Sequence, residues 1–326
     1  RPNIIIVGKH DHTMGDHLRG IDDSFIVSVN TEQGGLSDQE TIDQFITGHS
    51  YPRGPAHDRV DAFLLTDDNT RQILEPYIGI DRMHVIGYLR LLQTRYATRA
   101  RPLSNDFTIG IACGPNIVDK SAMASLYESY PKEYPGNWLS VEDYLAYTTI
   151  EWLLLNRVSE TMRGKYRQLL RLRYADDNYL SNPASLEVDT SSDPIYFLEQ
   201  CDLIVVGQST IAIEAMMAGI PAISLSRLAG RVLKDPIDFS HVRTCWQPES
   251  LDKVEELIEL RRNNALGLTP DPVSYQEFVS RTFYCAGETD RSVLSTIELL
   301  DQASYKEHGT KLDIGHLCEL LNINRR

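Results

Sequence analysis

The sequence has no long apolar segment, no dense set of cysteines and no surplus of positive charge. No apolar run approaches the roughly 20 residues that a transmembrane helix needs, so we expect no membrane span. Its 32 Lys and Arg residues are outnumbered by 46 Asp and Glu residues, giving a formal net charge of −14. Because duplex binding rests on excess positive charge, this balance argues against nucleic acid as a partner. The five cysteines are far apart and match no zinc or redox motif, which predicts reduced thiols in a cytoplasmic protein.

What the sequence does contain is typical of a globular protein with two domains. It has 326 residues, of which 42% are hydrophobic and 24% are charged. This length is enough to bury two cores. The chain begins with Arg1-Pro2 rather than Met, so we expect a trimmed form or a piece of a longer chain.

Short β-branched runs alternate with helical patterns along the chain. Runs that predict buried strands lie at 3–8, 25–30, 61–66 and 84–88, and then at 107–113, 166–174 (part helix, part strand), 186–189, 202–207 and 221–226. Helical periodicity lies at 119–130, 141–162, 210–218, 250–263, 274–285 and 290–304. The aromatic stripe within 136–158 predicts core packing, with membrane or partner docking as the alternative.

The continuously apolar strands indicate parallel sheets that are covered by helices on both faces. We therefore predict an α/β protein in which two Rossmann-like domains face one cleft. The N-terminal domain, over residues 1–101, is short or truncated. The C-terminal domain covers residues 102–304, and a last helix within 305–326 is expected to pack back on the first domain.

The stretch DLIVVGQSTIAIEAMMAGIPAISLS, at 202–226, predicts a strand, a turn and a helix. Ligands of parallel α/β sheets bind beyond the carboxyl ends of the strands. Gly207 permits a tight turn, and Ser209 is a typical N-cap for a helix that starts near Thr210. The free N–H groups of such a helix start suit a phosphate, and Glu214, one turn further, is placed to accept two ribose hydroxyls. The alternative is an ordinary capped helix with a solvent-facing Glu214.

The order strand–Gly–Ser-Thr–x3–Glu-Ala–x3–Gly-x-Pro–strand in this stretch resembles the nucleotide-sugar half of type-B glycosyltransferases, a fold shared with non-hydrolysing sugar epimerases. The segments TEQGGLS (31–37), DAFLLTDDNTRQIL (61–74), RMHVIGYLRL (82–91) and 275–300 are similar to bacterial capsule and lipopolysaccharide biosynthesis proteins. The resemblance implies that Glu214 holds the donor ribose. It also implies that the turn of Gly207, Gln208, Ser209 and Thr210 holds the donor phosphates.

One departure from that family concerns the donor nucleotide. Where such proteins carry Arg-Pro-His-Pro, this chain has Arg173-Tyr174-Ala175-Asp176, which argues against a CMP-type donor. Two acid-free basic blocks, at 82–101 and 163–173, predict an anion-binding cleft, with solvated helix faces as the alternative. Within them we single out Arg173 as a donor contact and Arg90 as a phosphate or acceptor contact.

Glu32 follows the second predicted strand of the first domain, within Thr-Glu-Gln-Gly-Gly. A carboxylate there suits a general base or a nucleophile for sugar transfer. The alternative is a turn residue before a pair of glycines. The family resemblance favours the chemical role.

The loop after the first predicted strand is crowded with polar side chains. We take His10 and His12 as further catalytic candidates, and Gly8 and His17 as phosphate or acceptor contacts. The ligand types also suit a metal ion, although the spacing matches no zinc motif. A plain polar loop is the third interpretation.

These features together predict a glycosyltransferase that needs no metal or other cofactor. It is expected to transfer a sugar from a nucleotide-sugar donor, held by the second domain, to a cell-surface polysaccharide or glycolipid acceptor, held by the first. We expect it in the cytoplasm, with peripheral association with an assembly machinery at the inner face of the membrane. One alternative is a non-hydrolysing nucleotide-sugar epimerase. The other is a catalytically degenerate carbohydrate-binding or scaffold domain of a larger polysaccharide synthase.

Overall fold

The described part of the chain forms two parallel β-sheets, as the sequence predicts for an α/β protein. The chain divides into two compact units, and the predicted boundary near residue 101 lies outside the described residues. The computed structural model describes residues 4–7, 24–29, 59–65, 68–76, 78–86, 103, 106–112, 141–171, 186–191, 193–207, 209–232, 244–282 and 298.

The first sheet has four parallel strands in the order β1-β2-β3-β4. A helix, α1 (Asp68–Leu74), and a short 3-10 turn (Ile80–Arg82) lie between β3 and β4. Alternate residues of β3 serve two cores, because Phe63 packs on one face of the sheet and Leu64 on the other. The predicted burial on both faces is confirmed for β3, all four residues of which are buried. The strands of this sheet are β1 (Ile4–Val7), β2 (Phe25–Val29), β3 (Ala62–Leu65) and β4 (Met83–Val85).

The second sheet has five parallel strands in the order β7-β6-β5-β8-β9. The chain adds β6 and β7 on one side of β5 and then β8 and β9 on the other. The strand order therefore reverses between β5 and β8, which makes this position the topological switch point of the sheet. Its strands are β5 (Thr108–Ala112), β6 (Arg167–Arg171), β7 (Glu187–Asp189), β8 (Leu203–Val206) and β9 (Ala222–Ser224).

The helices around the second sheet bury one contiguous apolar core, to which Ile109, Leu155 and Val205 belong. The helix predicted at 141–162 is confirmed over Val141–Met162. The predicted helices at 119–130 and 305–326 lie outside the described residues, as does all but Glu298 of the helix predicted at 290–304. Within the described residues, no helix has the length and apolar character to cross a membrane. The helices are α2 (Val141–Met162), α3 (Pro194–Leu198), α4 (Ile211–Met217), α5 (Ser226–Val232), α6 (Leu251–Arg262) and α7 (Pro272–Thr282).

An aspartate ties together the strand starts in each sheet. In the second sheet, Asp202 accepts a hydrogen bond from the Thr108 N–H at 2.8 Å, and its own N–H donates to the Thr108 carbonyl oxygen at 2.9 Å. In the first sheet, Asp61 makes the same pair of bonds with Ile26, at 2.7 and 2.8 Å. Two segments with little sequence in common thus use one physical solution to satisfy the first N–H groups of a parallel ladder.

Replacing Asp202 with Ala is expected to lower the free energy of unfolding by roughly 1–3 kcal/mol, the cost of leaving a buried donor unsatisfied. The donor is the Thr108 N–H, and both residues are buried. Asp202→Asn is the matched control, because its side-chain oxygen can still accept that bond. Urea denaturation of both variants measures the difference. Equal stability of the Ala and Asn variants would show that the bond contributes nothing.

His84, in β4, gives the first sheet a pH dependence. Burial lowers the pKa of His84 from its ordinary value of 6.5, and the nearby Asp81 opposes this effect. Because the folded form holds the proton less well than the unfolded chain, stability is expected to fall as the pH is lowered through about 6.5. Unfolding midpoints of the parent and of His84→Gln between about pH 8 and pH 5 measure this contribution. Parallel curves for the two proteins would contradict it.

Candidate functional site

The turn predicted from the sequence as a ligand site lies at the switch point of the second sheet. Gly207 directly follows β8. The last residue of β8, Val206, pairs with Ala112, the last residue of β5. In open parallel sheets, the crevice for a ligand lies outside the carboxyl ends of the strands on either side of this point. The position of the turn, predicted from local sequence, is therefore the position that the sheet topology favours.

The start of α4 differs in detail from the prediction. The helix begins at Ile211, and Thr210 occupies the cap position with a helical backbone (φ −64°, ψ −15°) and no side-chain cap bond. The Ser209 hydroxyl accepts from the Ile211 N–H at 3.4 Å, so Ser209 supplies the capping oxygen from one position earlier. The helix ends at Met217, and Gly219, which follows the C-cap residue Ala218, has a φ of 76°, the left-handed conformation that is common just after a helix. Ser209 and Thr210 are both half-buried, which leaves them partly accessible.

The solvent-facing interpretation of Glu214 is wrong, because only 1% of this residue is exposed. All residues of α4 from Ile211 to Met216 are buried. A helix that is covered all round has no exposed stripe, so the spacing of four from Thr210 does not bring Glu214 to the surface. Its carboxylate is a buried polar group.

The carboxylate of Glu151 lies against Gly207. A Cβ atom added to Gly207 would overlap the side chain of Glu151 in α2. The distance from this Cβ to Oε1, the farther of the two carboxylate oxygens, would be only 2.8 Å. The glycines of the described residues that have positive φ are Gly164 and Gly219, so the backbone at Gly207 does not itself require glycine. Close packing against Glu151 is a further property of this position, which the local sequence does not show.

Glu151 is the site residue that the sequence analysis missed. It is 3% exposed and lies in the aromatic stripe that was assigned to core packing. The available signal was chemical: Glu151 is the one acidic residue in the stretch 144–159, YLAYTTIEWLLLNRVS. An acid at a buried helix position is costly, and so indicates a specific role.

Two buried serines connect Glu151 to the end of β9. The Ser226 hydroxyl lies 3.5 Å from Glu151 Oε1, as donor to that oxygen. The Ser224 hydroxyl lies 2.9 Å from Ser226 Oγ and 3.5 Å from the carbonyl oxygen of Gly207. These contacts link α2, the end of β8 and the junction of β9 with α5.

The predicted anion-binding role of the basic block at 163–173 is not supported where the block is described. Arg171 pairs with Asp189, Arg167 with Glu187 at 2.7 Å, and Lys165 approaches Glu255 at 3.9 Å. Acids that are distant in sequence thus pair with Lys165, Arg167 and Arg171 of this block.

Most of the other predicted site residues cannot be compared with the fold. β1 covers Ile4–Val7 and β2 covers Phe25–Val29. In the part of the chain that the structure describes, no three His, Cys, Asp or Glu side chains come together as a metal site. Eight predicted site residues lie outside the described residues: Gly8, His10, His12, His17, Glu32, Arg90, Arg173 and Gln208.

Comparison with solved structures gives the fold of the chain. A variant of the wall teichoic acid polymerase TagF soaked with CDPG matches 93% of this chain and 74% of its own, with a TM-score of 0.51 and 12% sequence identity. The chain shares its fold with TagF. A second TagF variant matches 88% of this chain and 70% of its own, with a TM-score of 0.50 and 11% identity. S. aureus MnaA with UDP matches 95% and 78% of the two chains, with a TM-score of 0.48 and 12% identity. No protein-family model and no curated protein matches the chain.

Proposed function

We propose that the chain is a glycosyltransferase that takes its sugar from a nucleotide-sugar donor and passes it to a cell-surface polysaccharide or glycolipid acceptor. The observation that carries the proposal is the coincidence of the Gly207–Thr210 turn with the switch point between β5 and β8. The fold shared with TagF supports it, and that TagF structure was soaked with CDPG, which favours a nucleotide-linked donor.

In this proposal the donor binds beyond the carboxyl ends of β5 and β8. Ser209 and Thr210 contact the phosphates, together with Gln208 and Arg173, and Glu214 accepts the ribose hydroxyls. Because hydrogen-bond donors and an arginine neutralise the leaving phosphate, the reaction needs no metal ion.

The acceptor is proposed to bind at the loops that follow β1 and β2. Glu32 acts as general base or nucleophile, with His10 and His12 as the other groups able to take a proton. Gly8, His17 and Arg90 contact the acceptor or a phosphate. We place the protein in the cytoplasm, at the inner face of the membrane with its assembly machinery.

A ligand screen followed by a product assay tests the proposed function. UDP-, GDP-, CMP-, CDP- and dTDP-linked sugars are added in thermal-shift assays, where a 100-fold excess over Kd adds about 2.7 kcal/mol of stability. The positive donor is then incubated with membrane glycolipid, with and without EDTA. We expect nucleotide release that depends on acceptor and persists in EDTA.

Each other outcome has a definite meaning. Epimerised donor without acceptor-dependent release would replace transfer by epimerisation. Binding without turnover would indicate a degenerate carbohydrate-binding domain. Loss of turnover in EDTA that Mg²⁺ or Mn²⁺ restores would overturn the metal-independent mechanism, and no binding of any donor would overturn the proposed function.

A further inference from the structure

Glu151 lies where a purely structural side chain would be apolar. Its helix, α2, packs Leu155 and Val158 into the core of the second sheet. Burying a carboxylate costs several kcal/mol in effective terms, which an apolar residue of similar size would avoid. A carboxylate retained at 3% exposure, next to the turn at the switch point, indicates a role in that turn.

Gly207 is contacted both by the Glu151 carboxylate and, at its carbonyl group, by a serine hydroxyl. The carboxylate occupies the space in which a side chain at residue 207 would lie. The Ser224 hydroxyl lies 3.5 Å from the carbonyl oxygen of Gly207 and 2.9 Å from Ser226 Oγ. Gly207 is thus held between a carboxylate on its Cα and a hydroxyl on its carbonyl group, and Ser226 links the two.

We propose that Glu151 is a positioning residue of the donor site. Its carboxylate holds Gly207 and Ser226 in place, and through Gly207 it sets the position of the Ser209–Thr210 turn that meets the donor. This inference rests on the proposed function of that turn. Glu151 itself does not touch the donor, so its effect is on the geometry of the groups that do.

The test compares nucleotide affinity with stability in matched variants, using UDP and CDP as the probes in isothermal titration. Glu151→Ala is expected to raise Kd at least about tenfold at a temperature where the variant is folded, because preorganisation of the site is lost. Glu151→Gln keeps the volume and an acceptor oxygen for Ser226 and is expected to stay within about threefold of the parent. Leu155→Ala is the control, since it opens a cavity in the same helix one turn away. It should lower Tm and leave Kd unchanged.

A second pair of variants tests the contact without any ligand. Gly207→Ala is expected to lower Tm, because its methyl group overlaps the carboxylate. Adding Glu151→Ala should recover part of that loss, a coupling that independent residues do not show. Ser226→Ala keeps the inference testable if Glu151→Ala does not fold, and it should also raise Kd with a small change in Tm.

The outcomes separate the inference from the proposed function. A Kd for Glu151→Ala and Ser226→Ala equal to that of the parent would overturn the positioning role and leave the proposed function standing. If the losses of Tm caused by Gly207→Ala and Glu151→Ala simply add in the double variant, the two residues are not coupled, and this result would also overturn the positioning role. A parent protein that binds neither the two probes nor any nucleotide sugar would overturn the proposed function, and the positioning role with it.

Discussion

Replacing Glu32 with Gln is expected to lower turnover by about 10²–10⁴-fold, the scale for a lost general base. The change keeps the shape of the side chain and removes its charge and its basic lone pair. Donor affinity should stay nearly constant, because the proposed donor contacts at 207–214 belong to the other sheet. The measurement is kcat and donor Kd for Glu32→Gln beside the parent, with mass spectrometry for a trapped glycosyl adduct.

Glu40→Gln is the matched control for Glu32, because it makes the same chemical change eight positions further along the chain. It should leave kcat and Kd as they are. A fall in kcat of less than about threefold in Glu32→Gln, far below the general-base scale, would make Glu32 a turn residue. The base would then have to be found among His10, His12, Asp16 and His17.

Glu214→Ala is expected to raise the Kd of the donor nucleotide by roughly 10- to 150-fold. This range corresponds to the loss of hydrogen bonds to a charged acceptor, about 1.5–3 kcal/mol. Because Glu214 is buried, the variant also leaves a cavity, and its Tm should fall. Ile213→Ala is the control: it opens a cavity at a buried position of the same helix and should lower Tm without changing Kd. An unchanged Kd for Glu214→Ala would remove Glu214 from the site.

The secondary structure could be predicted because its signals are local. Uninterrupted apolar runs bounded by Gly or polar residues gave the positions of β3 and β8, and the periodicity over 141–162 gave the helix α2. The order of the strands could not be predicted in this way. Pairing of β5 with both β6 and β8 depends on contacts between residues that are about 60 to 95 positions apart, which no local pattern reports.

The candidate site, like the fold, could be predicted only where its signals are local in the sequence. Gly207 and Ser209 were found because a strand followed by Gly and a capping residue is a local pattern. Glu151 was missed because it reaches Gly207 from a helix 56 positions earlier, and only the fold brings the two together. The burial of Glu214 was missed for a related reason. Helical spacing tells which residues share a face, but not whether that face is covered.

The ion pairs of the second sheet illustrate how charge patterns mislead when read along the chain alone. The block at 163–173 contains no acid, which suggested a surface for anions. Arg167 nevertheless forms an ion pair with Glu187, and Arg171 forms one with Asp189. Both acids lie on the neighbouring strand, β7. Cross-strand neighbours, rather than sequence neighbours, decide the charge of a strand end.

The central claim is that a nucleotide-linked donor binds beyond the carboxyl ends of β5 and β8. Photoaffinity labelling with azido-UDP-glucose and its azido-CDP counterpart, followed by peptide mapping, tests it most directly. The account predicts a label that excess unlabelled nucleotide displaces and that lies in the peptides following those two strands, at 113–118 and 207–217. A displaceable label confined to residues 4–95, with none beyond β5 or β8, would contradict it.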